Sequence, residues 1–305
     1  MFTPSVFDQF RLTAAERHLG VYGIHLYQEG HGDIEHRFRA DDAVHIWSAS
    51  KTFTSAAIGM CADEGRLALS DKVLDFFPEW AAVASAGSEQ IALRDMLHMC
   101  CGKDYDLFEE TDVDAMNTTD WAELFFRGAA TSTPGTHFYY ANASTYMLGR
   151  TVEKVSGLTV RDYLMTRLFD PLHIVNPAWN TCPTGHSFGA WGLQLTTGDL
   201  AKMGRLLLQS GRWNDRQLIP AAYVDAMHTD VVDPNRHFAD AESNAGYGYQ
   251  VWLNTTPGTW RLDGMYGQFS IIVPDKKAVI TTTSHNEHGP NDIIRAVFAD
   301  IVPKL

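Results

Sequence analysis

Ser48-Ala-Ser-Lys51 places a hydroxyl and an amine three residues apart. Positions i and i+3 of a helix share a face, so the lysine can lie within hydrogen-bond reach of the serine and, when neutral, take its proton. Neutrality is the demanding condition: a lysine ordinarily titrates at about 10.4, and burial beside positive character lowers that by several units. A second pair, Tyr140-Ala-Asn142, sets a phenol and a carboxamide two apart, after Pro134-Gly135 and ahead of a helix bearing Tyr146, Leu148 and Gly149. The phenol can pass a proton between nucleophile, lysine and leaving group, while the carboxamide can hold a substrate amide and the lysine. Each pair alone has a plainer reading: a chance spacing for the first, and a packed ring with a turn asparagine for the second.

The elements that must position these groups are legible in the periodicity. From Ala49 to about Glu64, Phe53, Ala56, Ala57, Met60 and Cys61 recur at helical spacing and Gly65 follows, which predicts a buried helix beginning at the Ser-x-x-Lys pair. Val21–Tyr27 and Ile34–Phe38, joined through Glu29-Gly-His-Gly32, predict a β-hairpin. Between 66 and 185 the pattern is helical pieces: Ser70–Phe77 before Pro78, Leu93–Met99 before Gly102, and Ser144–Val155 before Gly157. Thr196-Thr-Gly-Asp199 is a capping signal for a helix carrying Leu200, Met203, Leu206 and Leu207, and Leu218–Met227 predicts another. Tyr247–Leu253, Gln268–Val273 and Ala278–Thr283 are β-rich runs, and Asp292–Ile301 closes the chain as a helix. A lone hairpin is marginal in water, so the first strands are expected to pair with the last ones. This implies one domain over 1–305, with a sheet lobe at about 18–47 and 190–305, a helical lobe at about 48–189, and a ligand cleft between them.

The 305 residues are 45% hydrophobic and 20% charged, enough for a substantial core without disulfides or metals. The formal charge of −13 and the lack of a Lys/Arg run exclude nucleic acid and anionic membranes as main partners. Cys61, Cys100, Cys101 and Cys182 show no Cys-x-x-Cys spacing and read as free, buried thiols. His285-Asn-Glu-His288 is not His-Glu-x-x-His and reads as a solvated loop, so neither metal nor cofactor is expected. No phosphate-binding Gly-rich loop occurs. The first eleven residues lack a basic segment followed by an apolar one, and no window holds 18 uninterrupted apolar residues, so a cytoplasmic protein without a membrane anchor is expected. Tyr105, Phe108, Trp121, Trp191, Tyr247, Trp252 and Tyr266 divide between core and cleft, and Glu109–Asp114 reads as a solvated acidic loop.

Several blocks in a fixed order carry a resemblance. They are Ile46-Trp-Ser-Ala-Ser-Lys-Thr-Phe-Thr54, Asp63-Glu-Gly-Arg-Leu67, Leu93-Arg-Asp-Met-Leu-His-Met99, Pro134-Gly-Thr-His-Phe-Tyr-Tyr-Ala-Asn142 and Trp191-Gly-Leu-Gln-Leu-Thr-Thr-Gly-Asp-Leu200. Over about residues 20 to 300 the chain resembles the serine β-lactamase and penicillin-binding-protein superfamily. The likeness is to its class C-like branch, which includes esterases, D-aminopeptidases and 6-aminohexanoate-oligomer hydrolases. The resemblance implies a mixed α/β, β-lactamase/transpeptidase-like fold: a mainly antiparallel sheet flanked by helices, with a helical lobe inserted.

It further implies that Ser48 is acylated, that Lys51 and Tyr140 share the proton transfers, and that Asn142 orients the substrate. Which of Lys51 and Tyr140 is the formal base stays open. Trp191 and Tyr266 would border the pocket. The family's third motif, Lys-Thr-Gly or His-x-Gly, has its counterpart at Leu262-Asp-Gly264. Gly264 is kept, and the Met265 N–H would join that of Ser48 in an oxyanion hole, where each donor is worth roughly 2.7–4 kcal/mol. The cation of that motif is missing. Asp263 would add a negative charge near the same spot, disfavouring a carboxylate and favouring neutral or cationic ligands, unless Arg261 reaches the cleft to compensate. The expected partner is a small ester or amide substrate. A β-lactamase or D,D-peptidase, and a non-catalytic sensor or scaffold, are the alternatives.

Overall fold

The computed structural model describes residues 2–105, 120–235 and 238–305. Phe108 and the Glu109–Asp114 stretch lie outside them. Helix α1 (Asp8–Glu16) precedes the hairpin of β1 (Val21–Gln28) and β2 (Gly32–Arg37). Strand β3 (Val44–His45) leads through a 3-10 turn, Trp47–Ala49, into α2 (Ser50–Asp63). Helices α3 (Leu93–Leu97), α4 (Trp121–Arg127), α5 (Asn142–Ser156) and α6 (Val160–Leu164) follow. Short strands β4 (Ala178–Trp179) and β5 (Leu193–Leu195) join β3 in a small sheet with β5 at its centre. Next come α7 (Thr197–Leu208), the β6–β7 hairpin (Arg212–Trp213 and Arg216–Gln217) and α8 (Ala221–Thr229). Strands β8 (Trp252–Leu253), β9 (Trp260–Gly264), β10 (Gln268–Val273) and β11 (Ala278–Ser284), then α9 (Asn291–Asp300), end the chain.

The main sheet is antiparallel in the order β2-β1-β11-β10-β9-β8, so the first hairpin is completed by the last strands, as the sequence predicts. Leu26 lies opposite Ile280, which in turn faces Ile271. These side chains point to one face, where α1 and α9 cover them with Phe7, Phe10, Ile293, Ile294 and Val297. The alternate residues Tyr27, Leu262, Ile272 and Val279 point to the other face and join the core built on α2, α5 and α7. Buried on both faces, β10 shows no hydrophobic alternation and is recognisable only as an apolar run. At Gly204 of α7 a Cβ would stand 2.1 Å from the Ser270 Oγ, so helix and sheet are closer there than any side chain permits. Among the described residues no helix is long and apolar enough to cross a membrane.

Three expected elements are displaced, each for a visible reason. The Ser70–Phe77 piece forms only the 3-10 turn Val73–Phe76, because the Val73 N–H donates to the Ile91 carbonyl and Leu93 N–H to that of Asp71. The helix expected from Leu218 starts at Ala221, since Pro220 sets its entry and the N–H groups of Leu218 and Ile219 go to the Gly211 carbonyl. Of the Tyr247–Leu253 run only Trp252 and Leu253 form a strand. Gln250, with φ of 62°, turns the chain so that its carboxamide donates to the carbonyls of Met96 and Leu97 at the end of α3. Helix α1 occupies residues that carried no predicted element.

Candidate active site

Helix α2 is buried along nearly its whole length, polar residues included. Its hydroxyls tie it to the surrounding loops: Thr52 donates to the Gln250 carbonyl at 2.8 Å, Thr54 to that of Gly189 at 2.9 Å, and Ser55 to that of Tyr249 at 2.9 Å. A central helix fixed in this way is a rigid base for chemistry at its N-terminus. Ser48 sits there, half-buried, in the turn that feeds the helix. Trp47 before it has φ of 51°, a left-handed conformation costly for a bulky residue, and its N–H donates to His45 Nδ1 at 3.0 Å.

Lys51 lies one turn on and is 1% exposed. Its Nζ donates to Ser48 Oγ at 3.0 Å, to Asn142 Oδ1 at 2.7 Å and to the Ala190 carbonyl at 3.0 Å. Asn142 opens α5, and Ala190 lies in the loop before β5. The ring of Tyr140 faces the same ammonium, with its centroid 4.9 Å from Nζ. Trp252 of β8 packs against that ring at 5.4 Å and Tyr247 at 5.9 Å. Three segments far apart in sequence thus converge on one nitrogen.

The third side is β9. A Cβ on Gly264 would stand 2.2 Å from the Ile46 carbonyl, so only glycine allows this strand to close on the turn holding Ser48. Met265 is 54% exposed, and Tyr266, with φ of 65°, lies edge-on to Trp47 at 5.2 Å. His285 stacks on Tyr266 at 4.4 Å and pairs with Glu287, so the His285–His288 loop forms part of this aromatic rim. Trp191 follows Lys51's carbonyl partner and packs on Phe188 at 4.8 Å. Trp121, Tyr247 and Trp252 belong to the core. All four cysteines are free and buried.

Arg261 does not reach the cleft. It is wholly buried, its Nε donating to Asp263 Oδ2 at 2.8 Å and its Nη1 to the Leu253 carbonyl and Asn254 Oδ1, both at 2.8 Å. Burial pushes the Asp263 carboxyl above the usual carboxylate range, while the charges of Arg261 and Lys51 pull it down. Beyond Phe238, which lies edge-on to Tyr140 at 6.2 Å, a groove of about 970 Å³ runs between His228, Asn254 and Trp260. The carbonyl of Ala190 escaped the sequence reading, since a backbone acceptor has no side-chain signature. Trp252, one of the aromatics that divide between core and cleft, is buried and also packs on the Tyr140 ring.

An antiparallel sheet with Ser-x-x-Lys at the head of one buried helix, α2, and Tyr-x-Asn at the head of another, α5, defines the β-lactamase/transpeptidase class of fold. The sequence profile described as Beta-lactamase matches residues 18–302, and the chain belongs to that family of serine hydrolases. A 6-aminohexanoate-dimer hydrolase from Paenarthrobacter ureafaciens is 26% identical over 267 residues, covering 81% of this chain and 67% of that one. Protein Flp of Staphylococcus aureus (strain NCTC 8325 / PS 47) is 25% identical over 170 residues, 54% of this chain and 34% of Flp. The match therefore spans about a third of Flp's length. Among solved structures, a D-stereospecific amidohydrolase from a Streptomyces species superposes with a TM-score of 0.72 at 19% identity, over 97% of this chain and 99% of that one.

Proposed function

We propose that this protein hydrolyses a small ester or amide through an acyl-enzyme on Ser48. The observation that carries the reading is the Lys51 ammonium: fully buried, held by Asn142 and the Ala190 carbonyl, and 3.0 Å from Ser48 Oγ. In its neutral form the same amine accepts the serine proton as Oγ attacks the substrate carbonyl, with Tyr140 close enough to share that transfer. The Ser48 and Met265 N–H groups serve the oxyanion, the former aided by the helix N-terminus behind it. As the tetrahedral intermediate collapses, the proton passes to the leaving alkoxide or amine, which departs. Water then adds to the acyl group, gives its proton to the same base, and frees the carboxylic acid and Ser48.

Ester or amide substrates are favoured over β-lactams because the third motif lacks its cation and Arg261 is enclosed, leaving nothing from β9 to pair with a β-lactam carboxylate. The names of the hydrolase and amidohydrolase relatives support the amide side of this reading. The test is hydrolysis of p-nitrophenyl butyrate and of nitrocefin by wild type and Ser48→Ala. Ester turnover that falls by at least about 10³ in the variant is expected, with nitrocefin much the poorer substrate. Equal activity of Ser48→Ala in a clean preparation would overturn the mechanism. Fast nitrocefin turnover would overturn the substrate preference.

A further inference from the structure

Alternate residues of a strand share a face, so Arg261 and Asp263 of β9 project together. Arg261 lies opposite Trp252 in the ladder, and the Trp252 ring packs on that of Tyr140. Asp263 therefore occupies the face of the sheet edge that carries Tyr140. It is also one residue from Gly264, which abuts the turn holding Ser48, and it lies within the electrostatic reach of Lys51 and Tyr247.

Arg261 is shared between two carboxylates. Arg261 is clamped by Asp263, Leu253, Asn254 and the Glu242 carbonyl, and the Glu242 carboxylate stands 3.9 Å from its Nη1. Glu242 is itself buried, its oxygens taken by the N–H and hydroxyl of Thr255. One guanidinium faces two carboxylates, and the charge of Lys51 also acts on Asp263. Of the two, Asp263 is the more accessible: Arg261 fixes its Oδ2, its Oδ1 accepts no hydrogen bond from the described residues, and its side chain is 21% exposed. A carboxylate oriented by a buried arginine, with its other oxygen unclaimed by the described residues, is a preorganised acceptor for a substrate donor.

We propose that Asp263 is the specificity-determining residue of this site, accepting a hydrogen bond from an ammonium group of the substrate near its scissile carbonyl. The substrate class is then an amino-acyl ester or amide, and a carboxylate at the same place is rejected. This rests on the hydrolase reading above. Opposite charge is the discriminating element, since like charges brought together in a partly dry cleft are repelled.

The experiment has two arms. In wild-type enzyme hydrolysing p-nitrophenyl butyrate, hexylammonium is expected to inhibit competitively with a Ki at least tenfold below those of hexanoate and hexanol. The p-nitroanilides of alanine (both enantiomers) and of 6-aminohexanoate are compared with their N-acetyl forms. At least one free amine is expected to exceed its acetylated form tenfold in kcat/KM, and Asp263→Asn to collapse that ratio to within twofold through KM. Equal Ki values for hexylammonium and hexanoate, or a ratio unchanged in Asp263→Asn, would overturn the assignment. If Asp263→Asn does not fold, the inhibition arm on wild type still decides. If no serine-dependent ester turnover is found, the hydrolase reading fails instead, and calorimetric titration with hexylammonium and hexanoate reads the charge preference by itself.

Discussion

Two buried lysines show how differently the same side chain is held in this protein. Lys51 is ringed by a hydroxyl, a carboxamide and a carbonyl that belong to the site. Lys103, 2% exposed, donates to the hydroxyls of Ser85 and Ser88 and to the Gly128 carbonyl, with no carboxylate among these acceptors. Burial therefore brings its amine down to about 8. The unfolded chain holds that proton more tightly than the folded one between about pH 8 and 10.5, so folding stability should rise with pH across this window. Urea denaturation of wild type and Lys103→Met at pH 7, 8, 9 and 10 checks it. The difference between the two should move in favour of wild type by up to about 3 kcal/mol over the upper window and stay flat below it. The contrast also explains what sequence could reveal of the site. Ser48, Lys51, Tyr140 and Asn142 stood out because short spacings carry them. The enclosure of Arg261 did not, because its acceptors lie on β8, on the turn after it and at Glu242, and only tertiary structure brings these together.

At the scale of elements, the junction of β9 with the turn before α2 governs the geometry. Gly264→Ala would drive a methyl group into the Ile46 carbonyl, and the strand would have to withdraw from Ser48. We expect kcat/KM on p-nitrophenyl butyrate to fall at least about 10²-fold, as misplacement by about 1 Å does in positioned catalysts. Thermal unfolding should show a lower midpoint but a folded protein, and an unaltered rate would refute the close approach. Elements with strong local signals were readable: the hairpin, the helix from Ser50, the Thr196 cap whose hydroxyl accepts from the Asp199 N–H, and the strands after Gln268. Those that failed are places where backbone groups are satisfied from outside the segment, as at Val73, Leu218 and Gln250. Periodicity reports which face is apolar and is silent about such partners.

At the scale of the molecule, the sheet is a partition. Over the central strands α2, α5 and α7 cover one face and α1 and α9 seal the other, while at the β9–β8 edge Trp252, Arg261 and Asp263 continue the second face beyond the cover of those helices. Removing contacts on the sealed face should cost stability without touching the chemistry. Phe10 is fully buried there, and Phe10→Ala should destabilise by about 3–5 kcal/mol in urea denaturation. The KM for p-nitrophenyl butyrate in the cold should match wild type, and a changed KM would mean that the two faces are coupled. The pairing of β1 with β11 has a consequence of another kind. Leu26 and Ile280 are neighbours in the ladder but about 250 residues apart along the chain. A chain synthesised at about 5–20 residues per second leaves the inner edge of the first hairpin waiting tens of seconds for its mate. During that interval a strand with open N–H and C=O groups hangs from the ribosome, able to pair with other nascent chains. Sealing the sheet with its own last strands makes the finished protein firm, but it ties the fate of the first forty residues to the last thirty, and to whatever shields them meanwhile.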